Sequence, residues 1–511
     1  GGESLKAIEL ISKLENKGYT LSIKKIFESK DIRELAKKLT EKTEKEEVIT
    51  YDNVIPATGA QMRVYTAQMV NPESTHYNIM NVFRVDNIDR EKLEKAINEL
   101  ISRHESLRTH FENRNGEIVQ VIDERATVEV EEITAYEGFI KPFDLTKSPL
   151  VRVGINEDTV VIDIHHIIAD GESMTVFFKE LNELYMGREL KGTVQYGEFA
   201  VTDEYAEDDE KYWLDVFSEE AETLELPIDY ERPEVQSFKG TNYFSLIDNT
   251  LNEKILSKCK EMGITPYVYY MAGINILLSK YSGNEDICVG TPVSGRSSKF
   301  LDTVGMFVNT VALRNNTNGN KSFKEFVREV KENSIEAITH QRYPYGELVK
   351  KLNIQTGNRN PLFDVMFAYQ SEEMADITLG DKKVDLVPMS TTAVKSELGF
   401  YILPREDDVV LVTEYNTDLY KEETIKKFID AYISVLAQCL NENKHIKDIT
   451  VLTEGEREKT LKSFNDTTYT YEIPENTTIY SLFEEQAEEN KEKVCLKADG
   501  KEISFKDFKA Y

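Results

Sequence analysis

The sequence predicts a mixed α/β protein with more than one domain. The chain has 511 residues. This length suffices for roughly two to four domains with large buried cores. Residues 160–187 predict a strand, a tight turn and a helix: alternating β-branched residues lead into Ala169-Asp170-Gly171, and apolar residues then recur at helical spacing up to Gly187. Strand-like and helix-like runs also alternate over residues 51–450, and each half of this range has about the length of one domain.

The composition argues against several classes of protein. Asp plus Glu is 92 and Lys plus Arg is 62, so the net charge is −30. This charge disfavours non-specific binding to nucleic acid or to anionic membranes. The four cysteines are far apart and form no CxxC pair, which disfavours a zinc site and a disulfide scaffold and fits a reducing cytoplasm. No signal peptide is visible, and the longest apolar run, at 267–278, is too short to cross a bilayer.

Residues 1–40 predict short helices, and residues 41–50 read as a charged linker. Two apolar stripes recur at helical spacing; the first contains Ala7, Leu10, Ile11 and Leu14, and the second contains Ile32, Leu35, Ala36 and Leu39. Ser4 stands at the start of the first helix. A serine in this place commonly caps the helix, but a helix N-terminus also stabilises a phosphate group. Both uses stay open from the residues alone.

The next elements fall into two halves, 51–225 and 226–450. The first half predicts a helix after Asp89, strands at Ile118–Ile122 and Leu150–Ile155, the histidine strand from Val160, and an acidic helix around Trp213. The second half predicts a buried helix at Tyr267–Tyr281, a strand at Asp286–Thr291, a strand over 304–314, a helix at Phe323–Ile338, a strand at Val409–Tyr415 and a helix at Ile425–Leu440.

Two adjacent histidines end the strand that starts at Val160. Neighbouring residues on a strand point to opposite faces, so His165 and His166 are not expected to bind one metal ion together. A division of labour is the more natural interpretation, in which one imidazole supports the loop and the other faces a substrate. The competing interpretation is an ordinary core or surface histidine, since histidine serves as a catalytic acid or base only in a suitable setting.

Several segments together resemble the condensation domains of non-ribosomal peptide synthetases. The matching segments, in chain order, are AQMR (60–63), RHESLRTHF (103–111), HHIIADGES (165–173), YGEFAV (196–201), VGMFVNTVALR (304–314), HQRYPY (340–345) and RNPL (359–362). The resemblance implies an α/β fold of two lobes, each similar to chloramphenicol acetyltransferase, in a V-shaped pseudo-dimer. It also implies a tunnel between the lobes that admits one carrier arm from each side.

The same resemblance assigns roles to individual residues. His166 is the expected catalytic histidine, with His165 beside it. Asp170 is expected to pair with Arg296, and Gly171 to let the loop approach the substrate closely, since glycine has no Cβ. Arg63 and Asn309 complete the predicted support of the site, together with Arg296.

The sequence departs from the family pattern at a few positions. Glu172 stands where an aromatic or small apolar residue is common, Arg342 and Gly346 replace acidic positions, and Thr202 replaces a common Trp. These residues neighbour the expected catalytic atoms without being among them. They therefore bear on substrate preference more than on activity.

The two ends of the chain resemble other synthetase domains. GGES with the helical text up to residue 40 is similar to the second part of a carrier domain, in which Ser4 would carry phosphopantetheine. The family's first helix should precede this motif and is not in the sequence. Residues 451–511 resemble the start of an adenylation domain. The chain begins Gly-Gly without Met and stops inside an amphipathic pattern, so a piece of a longer protein is expected.

The resemblance implies amide-bond formation between a donor acyl or peptidyl thioester and the amine of an acceptor aminoacyl thioester, both on carrier domains of one cytoplasmic synthetase. L donor and L acceptor are expected, since no epimerisation domain or its extra glutamate motif is visible. Two alternatives stay open: a non-catalytic docking platform for carriers, and an ester-forming acyltransferase. A metal hydrolase built on His165, His166 and Asp170 lacks a further ligand, so no metal is expected.

Overall fold

The computed structural model describes residues 2–29, 31–41, 49–136, 138–354, 357–370, 377–387, 393–405, 408–452, 454–470 and 472–511, with backbone alone at 2–5, 385, 386 and 454. Residues 42–48 of the predicted linker lie outside this description. The chain divides into two compact units, Gly1–Val451 and Leu452–Tyr511. The larger unit contains two main sheets with helices packed on them, which confirms the mixed α/β class.

Residues 2–29 and 31–41 form three helices and a two-stranded sheet: α1 (Gly2–Glu15), β1 (Tyr19–Thr20), α2 (Ile23–Glu28), α3 (Ile32–Lys37) and β2 (Thr40–Glu41). Part of the first predicted stripe is buried, since Ala7 and Ile11 belong to the core. The second stripe is not, because Ile32 is 83% exposed and α3 contains no buried residue. This segment also contacts the second lobe: Lys24 Nζ lies 2.5 Å from Glu336 Oε1.

The first lobe is built around a strand that is buried along its whole length. Its elements are β3 (Val54–Pro56), α4 (Gly59–Val70), β4 (Asn78–Arg84), α5 (Arg90–Arg103), β5 (Thr109–Arg114), β6 (Glu117–Ile122), β7 (Val130–Glu132), β8 (Val151–Ile155), β9 (Thr159–His165), α6 (Gly171–Tyr185) and α7 (Tyr196–Thr202). Helix α8 (Glu207–Val216) follows in the chain, but its Trp213 packs in the core of the second lobe. The side chains of α5 and α6 share one core with β9. A strand that is covered on both faces is apolar at nearly every position, which explains the sequence VVIDI at residues 160–164.

The second lobe is built around a helix that is apolar on all sides. Its elements are β10 (Gly240–Ile247), α9 (Asn249–Met262), α10 (Pro266–Ser282), β11 (Asp286–Val293), β12 (Asn309–Asn316), α11 (Phe323–Thr339), α12 (Tyr345–Lys351), β13 (Val365–Tyr369), β14 (Thr378–Leu379), β15 (Lys382–Lys383), β16 (Asp385–Leu386), β17 (Leu398–Pro404), β18 (Val409–Asn416) and α13 (Glu422–Cys439). Helix α10 begins at the Thr265 cap and ends at Gly283, whose φ of 81° suits glycine. The predicted buried helix is confirmed.

One strand from the second half of the chain belongs to the sheet of the first lobe. The sheet of the second lobe has the order β10-β18-β17-β13-β11-β12, and that of the first lobe has the order β16-β4-β9-β8-β7. Strand β16 follows β13 in the chain but pairs antiparallel with β4, with Asp385 opposite Arg84 and Leu386 opposite Phe83. The second half of the chain therefore completes the sheet of the first lobe.

The strand predicted over 304–314 is wrong in its first half. The observed strand, β12, begins only at Asn309. The backbone N–H groups of Phe307 and Val308 donate to Asp170 Oδ2, at 3.0 and 3.2 Å, rather than to a neighbouring strand. Met306 is buried in the core of the first lobe. This segment is therefore shaped by a carboxylate that lies more than a hundred residues earlier in the chain.

The smaller unit has its own short elements: α14 (Glu454–Glu458), a π-helical turn at Lys459–Ser463, α15 (Ile479–Glu489), β19 (Val494–Ala498), β20 (Lys501–Ser504) and α16 (Phe505–Ala510). Strands β19 and β20 form an antiparallel pair. Within the described ranges of both units, none of the helices combines the length and apolarity that crossing a membrane requires. All four cysteines are free thiols.

Candidate active site

The site begins where β9 passes through a turn into α6. Strand β9 ends at His165, and Asp170 caps α6 by accepting a hydrogen bond from the Ser173 backbone N–H at 2.8 Å. The cap is the usual use of aspartate at such a position. Because β9 is buried and α6 is packed in the same core, the five residues between them are held at a fixed place. The sequence predicted this strand, turn and helix correctly.

His165 is buried and holds the turn together. Its Nδ1 accepts a hydrogen bond from the Ile167 backbone N–H at 3.2 Å, so the ring proton is on Nε2, which points to Gln68 Oε1 at 3.4 Å. Burial, followed by the charges of His76 and Arg152, lowers the pKa of His165 to about 3. The imidazole is therefore neutral at physiological pH. Gln68 was not predicted, since nothing in the pattern of α4 distinguishes it.

His166 lines the main cavity. Its backbone N–H donates to the Tyr77 carbonyl at 2.7 Å, and its Nδ1 is buried without a hydrogen bond to another described residue. Burial, and then the positive charge of Lys395, lowers the pKa of His166 to about 3. The side chain facing the cavity is thus a neutral imidazole.

Asp170 and Arg296 are brought together in the structure, as the resemblance predicted. Arg296 Nη2 lies 2.8 Å from Asp170 Oδ1 and 2.6 Å from Ser173 Oγ. Arg296 also donates to the carbonyls of Phe300 and Thr303. Burial alone would raise the pKa of Asp170, but Arg296 and Ser173 outweigh it and hold that pKa below its usual value. The pair links the histidine loop to the end of β11.

Glu172 joins the same ion-pair cluster. Its Oε2 accepts a hydrogen bond from Ser294 Oγ at 2.7 Å and lies 3.1 Å from Arg296 Nε. Burial, with the neighbouring charge of Asp170, raises the pKa of Glu172. The sequence identified Glu172 as a departure from the family pattern. In the structure, the carboxylate of Glu172 has two polar partners, Ser294 and Arg296.

The other predicted residues fall into two groups. Arg63 and Gly171 line the cavity; Arg63 Nη1 lies 2.6 Å from Thr310 Oγ1, and a Cβ on Gly171 would meet nothing within 4 Å. Asn309 does not line the cavity, and its amide donates to the carbonyls of Gln341 and Tyr343 at 2.8 and 3.0 Å. The backbone of Ser4 lies in the first turn of α1, and its side chain is outside the described residues.

The main cavity has a volume of about 640 Å³. Both lobes line it; the first contributes residues of α4, the histidine loop and Tyr77, and the second contributes residues of β11, β13 and the segment before β17. Its size and its mainly apolar wall fit a small-molecule substrate. Among the residues that the structure describes, no group of three or more His, Cys, Asp or Glu side chains could hold a metal ion.

The family follows from a comparison with known domains. The model of the condensation domain family matches residues 51–461. The chain belongs to the condensation domain family. Condensation domains of peptide synthetases are acyltransferases that form peptide bonds.

Curated relatives of this condensation domain are large synthases. Gramicidin S synthase 2 of Brevibacillus brevis is 38% identical over 541 residues, which covers 99% of this chain and 12% of the relative. Surfactin synthase subunit 2 of Bacillus subtilis is 35% identical over 536 residues, covering 99% of this chain and 15% of the relative. The chain therefore spans only about an eighth of the length of these relatives.

Solved structures share the fold. A four-domain nonribosomal peptide synthetase bound to AMP and glycine aligns with a TM-score of 0.78 at 18% identity, over 90% of this chain and 38% of that one. The X-domain from teicoplanin biosynthesis, solved in complex with OxyB, aligns with a TM-score of 0.72 at 22% identity, over 80% of this chain and 98% of that one. At these identities the likeness shows the two-lobed fold alone, and it confirms the fold predicted for the condensation domain.

Proposed function

We propose that this condensation domain joins the acyl group of a donor thioester to the amine of an acceptor aminoacyl thioester, both of L configuration. The observation that carries the proposal is the neutral imidazole of His166 on the wall of a cavity of about 640 Å³ lined by both lobes. The absence of an epimerisation domain between Ser4 and residue 51 in the sequence supports an L donor.

We infer the domain organisation from the same resemblance. Residues 1–40 are part of a donor carrier, 41–50 a linker, 51–225 and 226–450 the two lobes, and 451–511 a linker with the start of an adenylation domain. Phosphopantetheine would be attached to Ser4, and it supplies the thioester that activates the acyl group. A helix N-terminus such as the start of α1 stabilises phosphate, because free backbone N–H groups and the helix dipole meet there.

The residues of the site divide the work as follows. His166 Nε2 accepts a hydrogen bond from the acceptor amine and directs the nitrogen lone pair at the acyl carbon. As the C–N bond forms and the C–S bond breaks, one proton leaves the nitrogen, and His166 passes it to the departing thiolate. A pKa of about 3 makes His166 a weak base, so its main contribution is orientation. Asp170 and Arg296 hold the loop that carries it.

Positioning accounts for most of the expected rate. Two tethered reactants in good orientation reach effective molarities of about 10⁵–10⁸ M. General-base help is typically worth about 10²–10⁴-fold, and it is smaller when the base is weak. The His166→Ala variant is therefore expected to lose about 10²-fold in rate while its carriers still bind.

The test supplies the carriers in trans and follows the acceptor by intact-protein mass spectrometry. A donor carrier with an acyl thioester and an acceptor carrier with an aminoacyl thioester are mixed with wild type, His166→Ala or His445→Ala. His445 is an exposed histidine that hydrogen-bonds the Asn320 carbonyl, and its loss should leave the rate unchanged. Growth of the acceptor by the donor mass, slowed only by His166→Ala, supports the proposal. Equal rates in all three proteins contradict the role of His166.

The docking platform is the second candidate function. One structural neighbour, the X-domain, was solved as a complex with OxyB, so this fold also serves as a binding partner. Absence of transfer with several substrate pairs, while the carriers still bind, would favour this alternative. A hydroxyacyl acceptor that is extended faster than its amino counterpart would instead show an ester-forming enzyme.

A further inference from the structure

The segment before β17 carries Lys395 into the wall of the cavity that contains His166. Its backbone is fixed on both sides. The Val394 N–H donates to the Phe238 carbonyl at 2.9 Å, the Asn360 amide donates to the Lys395 carbonyl at 3.3 Å, and Ser396 Oγ donates to the Leu398 carbonyl at 2.7 Å. The lysine side chain is therefore directed into the cavity by a well-anchored backbone.

One aromatic ring connects Lys395 with His166. Lys395 Nζ lies 5.7 Å from the centroid of the Tyr77 ring, a distance at which an ammonium is attracted to the ring face. The Tyr77 ring meets the His166 ring edge-on, with centroids 6.4 Å apart. Among the described residues, no carboxylate lies within 4 Å of Lys395 Nζ, so the ammonium faces the cavity without an ion-pair partner.

The charged and titratable groups around the cavity do not neutralise Lys395. Asp170 and Glu172 are both committed to Arg296. On the first lobe, Arg63 adds a second positive charge and His76 lies on the same wall as Tyr77. Desolvation lowers the pKa of Lys395, and the negative charge of Glu414 on β18 opposes that shift by favouring the ammonium form. The Glu414 carboxylate itself accepts a hydrogen bond from Tyr401 at 3.1 Å.

We propose that Lys395 is a positioning residue that acts through its charge: the ammonium opposes a second positive charge in the cavity, and so favours the unprotonated forms of His166 and of the acceptor amine that attacks. The proposal rests on the amide-forming function proposed above. No atom of Lys395 needs to bond to the reacting carbon, because the Coulomb interaction between two like charges acts across the cavity.

The positive charge of Lys395 affects the attack of the acceptor amine, because only the unprotonated amine has a free lone pair. A free α-amine has a pKa of about 8, so roughly a tenth of it is neutral at pH 7. A downward shift of about one pKa unit, the size expected of one nearby positive charge, raises the neutral share to about half. The low pKa values of two basic groups in the same cavity agree with this: burial and then Lys395 lower that of His166 to about 3 and that of His76 to about 4.

The first experiment measures single-turnover condensation from pH 5.5 to 9.5. In Lys395→Met and Lys395→Gln, the midpoint of the rise in rate should move up by about one pH unit, because the acceptor amine regains its usual pKa. Lys395→Arg, which keeps the charge, should restore the wild-type midpoint. The matched control is Lys421→Met, since Lys421 Nζ also lies over a tyrosine ring, that of Tyr230 at 5.4 Å, but does not line the cavity.

The second experiment separates failure of this inference from failure of the proposed function. Histidine side chains labelled with ¹⁵N are titrated by NMR without any substrate, and the His166 signals are assigned with His166→Gln. The midpoint of His166 should rise towards 6.5 in Lys395→Met and stay low in Lys395→Arg. An unchanged His166 midpoint and an unchanged rate profile in a folded Lys395→Met protein would overturn the inference. A wild type without condensation would overturn the proposed function while this titration still stands.

Discussion

On one side of the cavity Arg296 lies between two carboxylates, whereas on the other side Lys395 has no carboxylate within 4 Å among the residues the structure describes. We call the first side the histidine wall; His166, Asp170, Gly171 and Glu172 line the cavity there, and Arg296 pairs with the two carboxylates without lining it. We call the other the lysine wall, which comprises His76, Tyr77, Phe238 and Lys395. Asp170 and Arg296 are buried, whereas Lys395 is exposed.

The ion pairs of the histidine wall stabilise the fold, whereas the unpaired charge of Lys395 is available to act on a bound substrate. A buried ion pair with its hydrogen bonds complete is fixed in place, and removing one partner leaves the other unpaired at high cost. An ammonium without a counterion stabilises little in the folded protein. Its electrostatic field acts instead on a substrate that enters the cavity. The next three predictions test this contrast, from the largest expected effect to the smallest.

Arg296→Met should cause the largest loss of stability. The change leaves Asp170 and Glu172 without their shared cation, and breaking such a buried pair costs about 3–5 kcal/mol of unfolding free energy. Urea unfolding followed by tryptophan fluorescence would measure it. The control is Arg188→Met, because the Arg188–Glu183 pair is 58% and 34% exposed; such surface pairs contribute about 0–1 kcal/mol. Equal losses in the two variants would show that the histidine wall is not held by its ion pairs.

His165 should make stability depend on pH. Its pKa is about 3 in the fold and about 6.5 in the unfolded chain, so the unfolded state binds more protons between these values. Stability should therefore fall as the pH falls below about 6.5, by about 1.4 kcal/mol per pH unit for this one group.

The His165 term is isolated by comparing wild type with His165→Asn. Asp163 and Asp364, whose pKa values burial raises to about 6 and about 7, act in the opposite direction and would mask it in wild type alone. The difference between the two urea midpoints should shrink as the pH falls from 6.5 to 4. A constant difference would mean that His165 is not buried as a neutral ring.

Gly171→Ala should have the smallest effect on the fold and a selective effect on the reaction. A Cβ at this position meets no atom within 4 Å, so the melting temperature should be unchanged or slightly higher. The added methyl group would enter the cavity next to His166, and we expect a several-fold loss in kcat/KM, greater for bulky acceptors than for glycine. A loss of stability with unchanged kinetics would place the need for glycine in the backbone instead.

The parts of the site that lie in one continuous stretch could be predicted from the sequence. Strand β9, the turn and helix α6 follow from alternating and helical spacing over residues 160–185, and Asp170 stands where a helix cap is expected. The pairing of Asp170 with Arg296 was expected through the family resemblance. No local pattern joins two residues that far apart in the chain.

The parts that depend on distant contacts could not be predicted. The segment 304–308 was expected in a strand, but its N–H groups serve Asp170. Helical spacing predicted an apolar face on α3, yet Ile32 is 83% exposed. Spacing along a helix predicts which residues share a face, but not whether another element packs against that face. Lys395 lies in a polar stretch with no motif around it. Its importance rests on the fold that brings it to the wall with Tyr77.

Strand β16 has a consequence for any attempt to divide the molecule. It adds to the edge of the first lobe's sheet by pairing with β4, and Val387 N–H extends the pairing to the Val82 carbonyl at 2.9 Å. Residues 51–225 produced alone would present β4 as a bare edge with unpaired N–H and C=O groups, next to the buried Val82 and Phe83. Such an edge recruits strands from other chains. The isolated half would therefore aggregate, and a short peptide with the sequence around β16 could act as its soluble partner.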